Sequence, residues 1–214
     1  GLLGQPEKIH HTGHIDTFAK RTSNNCFIFF HHLNLIIFLF QKFTDTGACM
    51  NNSEKLFDKS EITALCQNLV RIKTVNPPGN EKALINYCKG YLSDSGAELI
   101  EVPLSEGRSS LLAIWKGKPG GKQILFVGHA DTVSPGDTGS WTYDPFSADL
   151  VDGVIYGRGI ADMKGGTATA MAALTQLKDI DPDNTFILAV TADEEDGCTG
   201  AESLLAEEYG LDPN

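Results

Sequence analysis

The sequence predicts an α/β domain on a mixed, mostly parallel sheet with helices on both faces. Three observations predict it. Two short apolar runs, Ile124-Leu125-Phe126-Val127 and Phe186-Ile187-Leu188-Ala189-Val190, have the unbroken character of strands covered on both sides. Between and before them lie stretches with apolar residues three and four apart, the period of an amphipathic helix. Strand and helix patterns therefore alternate, as they do when strands share a sheet and helices cover it.

The elements follow in order. Ser60 can cap a helix with Ile62, Leu65, Leu69, Val70 and Ile72 on one face. It must end before Asn76-Pro77-Pro78-Gly79, where two prolines forbid continuation. A second helix opens near Asn80, with Leu84, Tyr87, Cys88, Tyr91 and Leu92 as its stripe and Gly96 as its C-terminal cap. Short strands are expected at 99–102, 111–115 and 124–127. Asp152-Gly153 supplies the tight turn of a hairpin over 150–156. An alanine-rich helix is expected at 167–177, a buried strand at 186–190 and a last helix at 202–208.

Composition excludes several classes. Of 214 residues, 41% are hydrophobic and 21% charged, enough for a sizeable core and too apolar for disorder. The net charge of −11 repels phosphate backbones and anionic lipid, so neither nucleic acid nor membrane is an expected partner. Five widely spaced cysteines without a CxxC pair argue against a disulfide framework and for reduced thiols in a cytosol.

The chain divides at Met50. Residues 1–49 hold five of the six histidines and seven of the eleven phenylalanines, and their charge is near neutral. The apolar run at 26–40 is shorter than a membrane span and is interrupted by His31, His32 and Asn34. Two readings of this segment stand: upstream translated sequence, or a signal or anchor. Residues 50–214 form the expected domain.

The chemistry gathers where strands end, as it does in open α/β sheets. Gly128-His129-Ala130-Asp131 follows the first apolar strand, and Asp193-Glu194-Glu195 follows the second. Between them Gly157-Arg158-Gly159-Ile160-Ala161-Asp162-Met163-Lys164-Gly165-Gly166 enters the alanine-rich helix. Histidine and carboxylates are ligands for zinc, cobalt and manganese. In His129-x-Asp131 one side chain can bind metal while the other orients it. Glu194 and Glu195 cannot share a direction in regular structure, which suits two jobs, a ligand and a general base. Taken singly, a histidine after a strand is commonly structural, and two neighbouring glutamates are commonly a solvated face. The glycine-rich stretch lacks the Gly-Lys-Ser/Thr of a phosphate loop. It is the coincidence of three such elements at strand ends that carries weight.

Together these segments, with Trp141, Asp144-Pro145-Phe146, Val75-Asn76-Pro77-Pro78-Gly79-Asn80-Glu81 and Gly200-Ala201, resemble the dinuclear zinc metallopeptidases. That family includes acetylornithine deacetylase, succinyl-diaminopimelate desuccinylase and the glutamate carboxypeptidases. The resemblance runs over about residues 57–210. It implies that His129 and Glu195 each bind one of two divalent metals (zinc, or cobalt or manganese) and that Asp162 bridges them through a residue whose peptide bond to Met163 is cis. It implies that Asp131 supports His129 and that Glu194 is the general base. The activity implied is metal-dependent hydrolysis of an N-acyl amino acid or a C-terminal peptide bond by a two-metal-activated water, in a cytoplasmic protein that is a homodimer at full length.

A complete site of this kind takes a further carboxylate downstream of the glutamate pair, a histidine towards the C-terminus and a smaller lid domain. The expectation is therefore that residues 1–214 are a fragment, inactive alone and weak in zinc binding. Two rival functions are a dinuclear phosphoesterase and a non-catalytic binding homologue. The first should show an Asn-His or His-x-His group downstream, and the sequence has none; the second should have lost Asp162 or Glu194, and both are present. Of the lesser candidates, Cys198 reads as a small buried side chain, Trp141 and Phe146 as core before pocket, and Lys164 as a neutraliser of carboxylates or a solvated residue.

Overall fold

The computed structural model describes residues 19–21, 26–29, 58–206, 209 and 211. In chain order the elements are β1 (Ala19–Arg21), β2 (Cys26–Phe29), α1 (Lys59–Arg71), α2 (Lys82–Leu92), β3 (Glu98–Ser105), β4 (Arg108–Trp115), β5 (Gln123–His129), β6 (Asp149–Val151), β7 (Val154–Tyr156), α3 (Gly165–Leu174), β8 (Thr185–Thr191) and α4 (Thr199–Ser203). The main sheet has the order β1-β2-β5-β8-β4-β3, and β6 and β7 pair separately.

The sheet is mixed, as expected, but antiparallel pairing prevails among the described residues. The pairs β2–β5 and β5–β8 are parallel, whereas β1–β2, β4–β8 and β3–β4 are antiparallel. Apolar runs reveal burial and carry no strand direction. The turn at Glu106-Gly107, with Gly107 at φ +73°, folds β3 and β4 into a hairpin and reverses that half of the sheet. The expected division at Met50 lies outside the described residues; within 1–49, β2 runs parallel to β5 from Cys26↔Ile124 to Phe29↔Val127.

Both faces are covered, unequally. Side chains of α1, α2 and α3 pack with Leu111, Ala113, Trp115, Phe126, Leu188 and Val190 in the larger core. The alternate residues Leu112, Ile187 and Ala189 turn to the other face, where Val102 and Leu204 meet them. Leu204 directly follows α4 in the chain.

Helix ends differ from expectation at several places, the alanine-rich helix among them, which spans Gly165–Leu174 rather than 167–177. Asp58 caps α1, its carboxylate accepting the Ser60 N–H at 2.8 Å, and Ser60 lies inside the first turn. The second helix ends at Leu92, so Gly96, at φ +81°, serves the following turn instead. The last helix spans Thr199–Ser203 rather than 202–208, residues 207 and 208 lying outside the described set. Its placement is steric. A Cβ on Gly200 would sit 2.1 Å from the Ala192 carbonyl oxygen, so glycine alone lets α4 lie against the end of β8. Gly200→Ala should cost about 1–3 kcal/mol, the scale of overpacking a filled site. Urea unfolding checks this; an unchanged midpoint would show that α4 can retreat freely.

The hairpin turn is as expected, with Asp152 at φ +50° and Gly153 at φ +81°. Among the described residues no helix is long and apolar enough to cross a membrane.

Candidate metal centre

The two parallel strands β5 and β8 end side by side, His129 opposite Thr191. Chain beyond each end supplies the site. Gly128 lets the opening of α3 come close, since a Cβ there would lie 2.8 Å from Thr167 Oγ1 and 3.2 Å from Met163 Cε. The segment Ile160–Lys164 is a single wide helical turn broken at Asp162 and Met163, and the Asp162–Met163 peptide is cis. That turn carries the Asp162 carboxylate to 3.0 Å from His129 Nε2. Glu195 completes the group: one ligand atom each from His129, Asp162 and Glu195 lie within 4.8 Å of one another.

Glu194 lies beside them, its Oε2 3.8 Å from His129 Nε2, with about half of its side chain open to solvent. Both neighbouring glutamates reach one pocket because they sit in the irregular turn after β8. Asp193, at φ +65°, begins that turn, and its carbonyl accepts from Gly197 and Cys198.

Asp131 has more partners than a support for histidine needs. His129 Nδ1 lies 3.0 Å from the Asp131 backbone carbonyl and 3.6 Å from Oδ1, so the ring rests chiefly on the carbonyl. The fully buried Asp131 carboxylate accepts the backbone N–H of Glu194 at 3.1 Å, that of Glu195 at 3.0 Å and the Asn76 amide at 2.9 Å. One carboxylate thus indexes both glutamates to the histidine strand.

Charge accounts for the titration of the group. Burial disfavours a charged His129 ring, yet Asp131, Asp162 and Glu194 outweigh it and raise the ring to about 10. Burial likewise opposes ionisation of Asp131, but contacts with His129, Asn76 and the two glutamate N–H groups hold it at about 2. Burial lifts Glu195 above the usual carboxylate range; the His129 charge opposes the lift, and Asp162 and Glu194 add to it. These side chains call for positive charge at their centre. With Nδ1 engaged by a carbonyl, Nε2 is the atom able to ligate where a cation takes the proton's place.

The donor set fits a divalent metal. Imidazole nitrogen with carboxylate oxygens suits zinc, cobalt or manganese. Ligand atoms around a tetrahedral zinc stand about 3.4 Å apart, and the His129–Asp162 separation of 3.0 Å is close to that.

The lesser candidates separate. Lys164 is fully buried rather than solvated: its Nζ donates to the Ile72 carbonyl at 2.7 Å, and it forms no carboxylate ion pair among the described residues, although the Asp131 charge acts on it. Cys198 is exposed, at φ +56°, with Sγ 3.4 Å from the Glu194 carbonyl, which corrects the expectation of a buried thiol. Trp141 and Phe146 are half-buried and stand outside the main core; the Arg158 guanidinium lies 5.2 Å from the Trp141 ring and Lys73 Nζ 5.0 Å from Phe146. Sequence reasoning assigned no role to Asn76, Glu81, Arg108 or Asp193, which meet directly behind the site.

Comparison with known proteins gives a family match and a shared fold. Residues 125–213 match the model of peptidase family M20/M25/M40. Succinyl-diaminopimelate desuccinylase 1 of Ruegeria sp. is 39% identical over 150 residues, covering 69% of this chain and 38% of the relative. The desuccinylase of Roseobacter denitrificans is 38% identical over 144 residues, covering 66% and 37%. The chain therefore spans less than two-fifths of the length of these relatives. Two solved structures share its fold: an M20 family metallo-carboxypeptidase from Sulfolobus solfataricus (TM-score 0.60, 21% identity, 71% of this chain and 35% of that one) and human carnosine dipeptidase 1 (TM-score 0.58, 23% identity, 84% and 40%).

Proposed function

We propose that this chain, which belongs to peptidase family M20/M25/M40 through residues 125–213, carries part of the active site of a metal-dependent amide hydrolase acting on an N-acyl amino acid or a C-terminal peptide bond. The observation that carries the reading is the meeting of His129, Asp162 and Glu195 within 4.8 Å. On this reading His129 and Glu195 would hold one divalent metal each, and Asp162 would lie between the two. When bound, zinc, cobalt or manganese supplies Lewis-acid polarisation of the scissile carbonyl and of the attacking water.

The chain's own groups do the rest. Glu194 is open to solvent on one side and faces the ligands on the other. Its carboxylate takes a proton from the attacking water and returns that proton to the leaving amine nitrogen. Asp131 keeps this carboxylate in place through the Glu194 backbone N–H. His129 keeps the ring orientation set by the Asp131 carbonyl.

The desuccinylase relatives make N-succinyl amino acids the first substrates to test. We ascribe to the intact protein the homodimeric, cytoplasmic state that the resemblance implies, and a net charge of −11 disfavours nucleic-acid and membrane partners. The intact, cobalt- or zinc-loaded protein should hydrolyse at least one member of a panel of N-succinyl, N-acetyl and dipeptide substrates, and a chelator should remove the activity. Activity unaffected by chelation, or hydrolysis of phosphoesters alone, would overturn the reading.

A further inference from the structure

Behind the candidate ligands lies a buried polar network that links four segments distant in sequence. Thr132 and Asn76 are brought together by paired backbone: Asn76 N–H donates to the Thr132 carbonyl at 2.9 Å, and Thr132 N–H donates to that of Thr74 at 3.0 Å. The Asn76 amide nitrogen then donates to Asp131 Oδ2 at 2.9 Å and to Asp193 Oδ1 at 3.0 Å. Its two hydrogens are divided between two carboxylates, and only the amide nitrogen, never the oxygen, can sit between them.

Arg108 closes the network from the hairpin. Its Nη2 donates to Asp193 Oδ1 at 2.9 Å and to Glu81 Oε1 at 2.6 Å, and its Nε donates to Glu81 Oε2 at 2.9 Å. Glu81 is fully buried and also accepts the Asp193 backbone N–H at 3.2 Å. Three buried carboxylates thus share one guanidinium and one amide. Such a group is secure only while each donor stays, because losing one leaves a buried charge unmatched.

The geometry points to Asn76, which ties Asp131 to Asp193, and Arg108, which ties Asp193 to Glu81, as positioning residues that fix the Glu194–Glu195 turn against His129. Their purpose for a metal rests on the proposed function; their effect on the turn does not. Neither residue lies among the candidate ligands. Asn76 acts through Asp131, whose carboxylate holds both glutamate N–H groups, and both residues act through Asp193, which opens the turn.

Amide hydrogen exchange on the metal-free full chain tests this. In Asn76→Ala and Arg108→Lys, the Glu194 and Glu195 amides should exchange about tenfold faster, while Leu188 and Ala189 in β8 keep their protection. Lysine retains the charge but not the fork that reaches Glu81 and Asp193 together. A merely structural role would accelerate β8 equally, and that result, or unchanged glutamate amides, would overturn the assignment. If Asn76→Ala does not fold, Arg108→Lys decides alone; failure of both to fold would make the network a determinant of the fold and also overturn it. Cobalt titration of the same variants should show affinity about tenfold lower than the parent. A parent chain that takes up no cobalt would remove the metal reading, and the exchange comparison would still decide the positioning.

Discussion

Glu194→Gln in the intact, metal-loaded protein should lower kcat by about 10²–10⁴-fold with metal content unchanged, the range attached to losing a general base. The substitution keeps the side chain's size and its place 3.8 Å from His129 Nε2, and removes only the capacity to take a proton. The backbone N–H that Asp131 holds is untouched, so the turn should persist. KM should change little. Metal analysis alongside steady-state kinetics checks this. Loss of metal in step with rate would make Glu194 a ligand; unchanged rate would remove it from the chemistry.

The second large effect belongs to the proposed ligands. His129→Ala and Glu195→Ala should each weaken metal binding by more than the about 10–100-fold that accompanies loss of a supporting residue. Activity should fall with occupancy and recover in part at high metal concentration. His129→Ala also removes the ring that meets both the Asp131 carbonyl and Asp162, so its loss should be the larger. Cys198→Ser serves as the control: the thiol is exposed and among the described residues it hydrogen-bonds a backbone carbonyl alone, so affinity should not move. Isothermal titration with cobalt separates the three, and a Cys198→Ser loss equal to the others would show that the ligand set has been misassigned.

Much of the fold was legible because burial leaves a periodic trace. The runs at β5 and β8, the stripe on α1 and the Asp152-Gly153 turn all appear where the pattern places them. Strand direction left no such trace, and the β3–β4 hairpin turned an expected mostly parallel sheet into one with more antiparallel pairs. Helix ends were misplaced wherever a tertiary contact decides them, as Gly200 against Ala192 does for α4.

The site divides in the same way. His129, Asp162 and Glu195 stand out in sequence because each follows a strand or opens a helix with a side-chain type that binds metal. Lys164 misled because its position beside the carboxylates in sequence says nothing of its burial against the end of α1. Asn76, Glu81 and Asp193 lie within the segments that carry the resemblance, yet nothing local in them signals a role, and Arg108 carries no local signal at all. The contacts that unite them span between 27 and 117 residues, and only the folded chain makes them neighbours.

The central claim is that three side chains from separate segments hold metal at the joined ends of β5 and β8. Anomalous diffraction at the zinc edge, from crystals of the intact protein grown with zinc, tests it most directly. The expected result is a peak bonded to His129 Nε2 and to an oxygen of Asp162, at about 2.0–2.2 Å, with Glu195 ligating in the same cluster. Strong peaks elsewhere on the protein, with His129 still hydrogen-bonded to Asp162 and no metal between them, would contradict it.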